Sequence, residues 1–213
     1  MKFMLRVSAL AVMITLGWDG VAVAAESSDL SKNRIESSIA KGTEALRSQD
    51  YASAIKVFKP LSALGYASAQ YNLGWMYEFG AGVPQDYKES FRLYSLAATQ
   101  GDVDAQYKLG FMYSNGKGAS QDYKEAVRFY RLAVAQGNAY ARAALGSMYE
   151  LGHGVPQGYV LAHMWYNLGA ISDDSLNSLI SRDEIAKKMD PSQIEKALKM
   201  ALTCQASNYK QCE

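Results

Sequence analysis

From residue 69 onward, apolar residues return in a fixed order, with polar residues filling the intervals. Leu73, Met76 and Tyr77 are spaced i, i+3, i+4, which puts them on one side of an α-helix. Gly80-Ala81-Gly82-Val83-Pro84 predicts its end, since glycine accepts the left-handed cap and proline cannot extend a helix. Tyr94, Ala97 and Ala98 repeat the helical spacing on a second element, and Gly101 closes it. Asp86 opens that second helix and Glu89 follows three residues later, a capping-box-like pattern. The predicted unit is a helical hairpin.

The unit recurs every 36 residues without an insertion. Leu73-Gly74 returns as Leu109-Gly110 and Leu145-Gly146, and Met76-Tyr77 as Met112-Tyr113 and Met148-Tyr149. The paired glycines 80 and 82 return at 116 and 118 and at 152 and 154. Gln85, Gln121 and Gln157 keep register, as do Tyr94, Tyr130 and Tyr166, then Leu96, Leu132 and Leu168. A glycine inside a helix costs about 1 kcal/mol relative to alanine. Its return at 74, 110 and 146 therefore predicts close approach of a neighbouring helix. One hairpin cannot bury its own apolar face but stacked copies can, so the pattern implies an array with capped ends.

The ends differ from the middle. Gly42, Tyr51, Ala54 and Phe58 carry a tetratricopeptide-like pattern whose inter-helix segment is four residues shorter. Downstream, Ser172 to Met189 reads as one helix, with Leu176, Leu179, Ile180, Ile185 and Met189 apolar. Asp190-Pro191 is an N-cap followed by proline at the first helical position, and Ile194, Ala197, Leu198, Ala201 and Leu202 form the next stripe. In the third unit Gly158 replaces the capping Asp, and Val160-Leu161 replace Lys-Glu. The added hydrophobicity of that helix predicts that the C-terminal segment covers it.

The combination Ala-x-Tyr-x-Leu-Gly-x-Met-Tyr, Gly-x-Gly-Val-Pro-Gln-Asp-Tyr and Ala-Ala-x-x-Gly resembles the Sel-one-like repeat family, relatives of tetratricopeptide repeats, over residues 69–170. The resemblance implies an all-α, right-handed α/α superhelical solenoid of helix-turn-helix repeats. Its expected parts are an N-terminal hairpin at 34–68, repeats at 69–104, 105–140 and 141–172, and a helical cap with a cysteine pair at 173–213. The Ala162–Leu168 segment and the tail around Arg182–Pro191 resemble exported members of the family.

Residues 1–24 fit an export signal. Lys2 and Arg6 give a positive start, Val7 to Trp18 an apolar middle, and Ala22-Val23-Ala24 a small-residue cleavage pattern. That middle is shorter than the about 18 apolar residues of a membrane-spanning helix. The expected product has a polar lead-in at 25–33, lies in the periplasm or outside the cell, and has no stable membrane insertion after cleavage.

The whole chain has 22 Lys+Arg against 21 Asp+Glu, for a formal charge of +1 that removal of residues 1–24 brings to zero. That balance offers no electrostatic footprint for nucleic acid. Two His and two Cys are too few for a zinc framework, so no metal and no cofactor is expected. In an oxidising compartment Cys204 and Cys212, which enclose seven residues, are expected to pair, the alternative being free thiols on a frayed tail. His163 reads as a packed residue and His153 as a solvated loop residue. No catalytic motif is evident, and no catalytic residue is assigned.

Positions that repeat serve the repeat, which leaves the varying ones for function. On the first helices these are Asn72/Lys108/Ala144, Trp75/Phe111/Ser147, Glu78/Ser114/Glu150 and Phe79/Asn115/Leu151. Resemblance to tetratricopeptide arrays implies that first helices line a concave face, with Trp75 and Phe111 as neighbours. Asn72, Trp75, Glu78, Phe79, Lys108, Phe111 and Ser114 are thus the expected partner-binding residues, and the expected partner is a protein or peptide. The alternatives on the same fold are a secreted host-interaction factor and a cell-wall or β-lactam-acting enzyme.

Overall fold

Helices of nearly equal length follow one another along the chain. The structure is a computed structural model and describes residues 32–171, 176–210 and 212. Helix α1 covers 32–47, followed by α2 (Tyr51–Ala63), α3 (Ala67–Phe79), α4 (Tyr87–Thr99), α5 (Val103–Asn115) and α6 (Tyr123–Ala135). Then come α7 (Ala139–Leu151), α8 (Tyr159–Ala170), α9 (Leu176–Ala186) and α10 (Pro191–Ala206). There is no strand among the described residues, and no helix among them is long and apolar enough to cross a membrane. The expected signal segment 1–24 and most of the lead-in lie outside the described residues.

The chain divides into two units, Met1–Val57 and Phe58–Glu213. In the first, Gln49 takes a left-handed turn (φ +62°) after α1, and Asp50 caps the next helix by accepting from Ser53 N at 3.1 Å. In the second, α3 packs on α4, α5 on α6 and α7 on α8, while α4–α5 and α6–α7 contacts join successive hairpins.

The repeating residues form the core. Leu73, Met76, Leu109, Met112, Leu145 and Met148 from the first helices are buried, as are Tyr94, Tyr130 and Tyr166 from the second. Each such side chain contributes about 1.5–3 kcal/mol by leaving water. The helical glycines make room for the tyrosines. A Cβ on Gly110 would stand 2.5 Å from Tyr130 Cδ1, and one on Gly146 2.6 Å from Tyr166 Cδ1. Close approach is thus ring on backbone within one hairpin. The first helix ends on a left-handed glycine in each repeat, and Gln85, Gln121 and Gln157 each donate to the carbonyl of residue 78, 114 or 150 at 2.8 Å. Gly118 (φ +75°) sits so close to the Tyr87 carbonyl that an added Cβ would lie 2.1 Å from its oxygen. Gly154 stands in the same way 2.4 Å from the Tyr123 oxygen, so the loops of the second and third repeats rest on the start of the second helix one repeat earlier.

A second link was partly visible in the sequence as Ala-Gln-Tyr. Gln106 donates to Ala98 O at 3.4 Å and accepts from Gln136 at 2.9 Å, as Gln70 does with Ser62 O (3.4 Å) and Gln100 (2.7 Å). Arg142 takes over in the third repeat, donating to Gly137 O at 2.9 Å and Leu168 O at 3.2 Å.

Three expectations change. The capping box of α4 and α6 is only half formed. Asp86 and Asp122 accept from the next helical N–H groups, but their own N–H groups donate to Tyr77 O and Tyr113 O. Glu89 and Glu125 instead grip Arg92 and Arg128. The full box occurs at Asp190/Gln193 of α10, with Pro191 in the first turn. Secondly, Leu96 and Leu132 repeat yet stand 40% and 41% exposed, while Leu168 is buried on α8, the helix packed against α9 and α10. Thirdly, α10 buries Ala197, Ala201 and Cys204 and leaves Leu198 and Leu202 outside. Small residues let α10 lie close on α8, so the larger leucines face away. In α9 Ile185 and Ser178 are the buried residues, whereas Leu176 and Ile180 are exposed. The prediction that the C-terminal segment covers α8 holds.

Candidate functional site

The varying positions on α3 and α5 fall into two groups, one turned into the fold and one turned out. Glu78 is buried, 5% exposed. Its Oε2 accepts from Tyr94 OH at 2.7 Å and from Lys108 Nζ at 3.0 Å, with Lys108 itself 18% exposed. This carboxylate joins α3 to α4 of its own hairpin and to α5 of the next, so it has no face toward a partner. Ser114 takes the same place one repeat on, 3.3 Å from Tyr130 OH, and also donates to Phe111 O at 2.9 Å. In the third repeat Tyr166 OH donates to Glu150 at 2.9 Å, and Lys188 reaches the same carboxylate at 3.3 Å.

Burial, reinforced by the Glu78 carboxylate, pushes the Tyr94 hydroxyl far above the ordinary tyrosine range. Burial lifts Tyr130 to about 12, with the Ser114 hydroxyl pulling it part of the way back. Burial and then Glu150 raise Tyr166 likewise. These tyrosines stay neutral, and Tyr94 and Tyr166 donate to the carboxylates facing them.

The outward group is aromatic. Phe79 is 55% exposed, and Trp75 is half-buried with its ring centroid 5.0 Å from that of Phe79. Lys108 lies over the outer ring, Nζ 5.0 Å from the Phe79 centroid. The ring that Trp75 meets is Phe79 of its own helix. Lys108 bridges the step to the next first helix. Phe111 is covered by Lys117, Nζ 5.4 Å from its centroid, and Lys117 also lies 5.1 Å from the Tyr87 ring. Such cation–ring contacts contribute about 0.5–1 kcal/mol at exposed sites. Asn72 Nδ2 donates to Ser68 O at 2.7 Å, and Asn115 Nδ2 to Phe111 O at 2.8 Å. Trp75 also packs on the core formed by α4 and α5, which gives it a structural load that Phe79 lacks.

Lys117 was not singled out from sequence. Its signal was the position between the paired glycines, Ala81, Lys117 and His153 in the three repeats. His153 stacks on Tyr123 at 4.1 Å, so it is a packed loop residue and not a solvated one. His163 is 3% exposed, and burial, with Arg182 adding to it, lowers its pKa. Among the described residues there is no group of three or more His, Cys, Asp or Glu able to hold a metal ion. Cys204 and Cys212 form a disulfide with Cα atoms 4.4 Å apart.

Stacked hairpins with internally spent tyrosines and an aromatic outer strip define an α-helical repeat scaffold. The chain belongs to the Sel1 repeat family, whose model matches residues 67–102, 103–138 and 139–174. Members of this family generally serve as scaffolds for protein–protein interaction and are typically non-enzymatic. Among solved structures the chain is similar to a protective antigen present in uropathogenic Escherichia coli strains displaying an SLR fold. That match has a TM-score of 0.68 and 28% identity, covering 74% of this chain and 34% of the antigen. The chain thus spans about a third of the antigen's length. It is also similar to a Sel1 repeat protein from Oxalobacter formigenes, with a TM-score of 0.61 and 25% identity, covering 80% of this chain and 74% of that one. No curated protein sequence matches the chain.

Proposed function

We propose that this protein is an exported scaffold of the bacterial envelope that captures a protein or peptide partner on the concave face lined by its first helices. The observation that carries the reading is the Trp75–Phe79 ring pair under Lys108, with Phe79 more than half exposed. Rings held by neighbours lose little freedom on binding, and aromatic anchors supply much of the energy at interfaces. Export rests on the order of charged, apolar and small residues in 1–24, and a disulfide suits that address. Phe79→Ser and Phe111→Ala are expected to weaken capture of the partner by about tenfold or more, with the melting temperature nearly unchanged. Full capture by both variants would overturn the reading.

A second reading, a secreted host-interaction factor, is favoured by the likeness to the Escherichia coli antigen. Fractionation separates the two: the scaffold reading expects the protein in the periplasm, the second in the culture medium.

A further inference from the structure

The capping helix α9 lies on α8 over a buried histidine that the scaffold reading does not use. His163 stands where the first two repeats have Phe91 and Val127, so a titratable residue enters in the repeat that the C-terminal segment covers. It is buried, and its Nδ1 has no hydrogen-bond partner among the described residues. Asn167, one turn along α8 on the same side, accepts from Arg182 Nη1 of α9 at 3.4 Å. His163 therefore faces α9. Arg182 and Asp183 are the charged groups of α9 that bear on the imidazole, Arg182 opposing its protonation and Asp183 favouring it less strongly. Asp183 accepts from Arg182 Nη2 at 2.8 Å and is largely exposed, so its field is spent on that partner and on water. Glu184 and Lys187 pair with each other in exposed positions. On α7, Glu150 accepts from Tyr166 at 2.9 Å and from Lys188 at 3.3 Å. The buried residues of α10 are Ala197, Ala201 and the disulfide-bonded Cys204, and none of them titrates.

A protonated imidazole at this place would carry its charge away from water and beside a guanidinium. Burial disfavours the charged form of a histidine, and a positive neighbour adds to that. Both effects hold the His163 pKa below the ordinary value of about 6.5. A depressed histidine supports the folded contact fully above about pH 6.5, and that support is lost as pH falls from there through the folded pKa. The helix it would release is held by little. Ser178 and Ile185 are the buried residues of α9, while Leu176 and Ile180 stand exposed. A helix with few buried contacts opens locally at low cost.

We propose that α9 is an acid-sensitive latch: protonation of His163 loosens it from α8 while the repeats stay folded. Loosening bares Ile185 and the side of α8 beneath it, a surface that neutral pH keeps covered. Amide hydrogen exchange of the full disulfide-bonded chain, corrected for the intrinsic rate, is compared at about pH 7.5 and about pH 5. Exchange across α9 is expected to rise about tenfold, within the roughly thirtyfold limit that a histidine of ordinary pKa about 6.5 sets at about pH 5. Exchange across α3 to α6 is expected to stay as it was. His163→Phe and His163→Val, the residues of the earlier repeats, should each abolish the rise, and either one that folds suffices. The chain has two histidines, so His153→Gln assigns their imidazole resonances. In the wild-type protein the His163 resonance should titrate below about pH 6.5, on the same curve as α9 exchange. Exchange in α9 that does not respond to acid, an undiminished response in His163→Phe or His163→Val, or a His163 resonance titrating at about pH 6.5 or above would overturn the proposal.

Discussion

Where the buried tyrosine meets the first helices, the joint between the first and second repeats carries an ion pair, and the corresponding place in the second repeat carries a hydroxyl pair. At the first, Tyr94 and Lys108 converge on the buried Glu78 carboxylate. At the second, Tyr130 faces Ser114, and Ala144 stands where Lys108 stood. Both hairpins close around the same glycine–tyrosine contact. The charged pair is therefore not a requirement of the fold. What it adds is placement, since the lysine that neutralises Glu78 also lies over Phe79. A buried ion pair is weak evidence for stability in itself, whereas breaking it leaves a charge without compensation.

The comparison is broken most severely at Lys108. Lys108→Met strands the Glu78 carboxylate and is expected to cost about 3–5 kcal/mol in denaturant unfolding. Adding Glu78→Gln should return most of that loss, because the amide still accepts from Tyr94 OH. A cost below about 1 kcal/mol for the single variant would show that water reaches the carboxylate.

Alkaline pH sharpens the contrast. Tyr130 has a folded pKa raised to about 12 against about 10 unfolded. Its contribution is fully present below pH 10 and is lost as pH rises through about 12, on the order of 2–3 kcal/mol in all. Tyr94 is raised further by the adjacent carboxylate and should ionise only on unfolding. Tyrosinate absorbance followed against helical circular dichroism in Tyr94→Phe and Tyr130→Phe variants checks the order.

The smallest effects lie at the helix starts. Asp122→Ala removes the acceptor for Lys124 N and Glu125 N and should cost about 1 kcal/mol. Gly158→Asp supplies the carboxylate that α8 lacks and should raise the melting temperature slightly.

The hairpins were legible because burial on a helix leaves a period of 3.6 residues and a repeat multiplies the evidence. The joints were less so. Variation between repeats was read as exposure, yet Glu78 and Ser114 vary while turned inward. A hydrogen-bonding position accepts either a carboxylate or a hydroxyl opposite the same tyrosine, provided the neighbour changes with it. The sequence held that clue, since Glu occurs with Lys at 78 and 108 and Ser with Ala at 114 and 144. Exposure of Leu198 and Leu202 was not legible, because alternate faces of α10 both carry apolar residues and packing distance chose the one with alanines.

Site-specific photo-crosslinking in intact cells reads the partner face most directly. A photoreactive side chain at Phe79 or Asn115 on the first helices is compared with one at Leu96 or Leu132, which are exposed on the second helices. A discrete adduct from the first pair and none from the second is the predicted result. Adducts confined to Leu96 and Leu132 would contradict it.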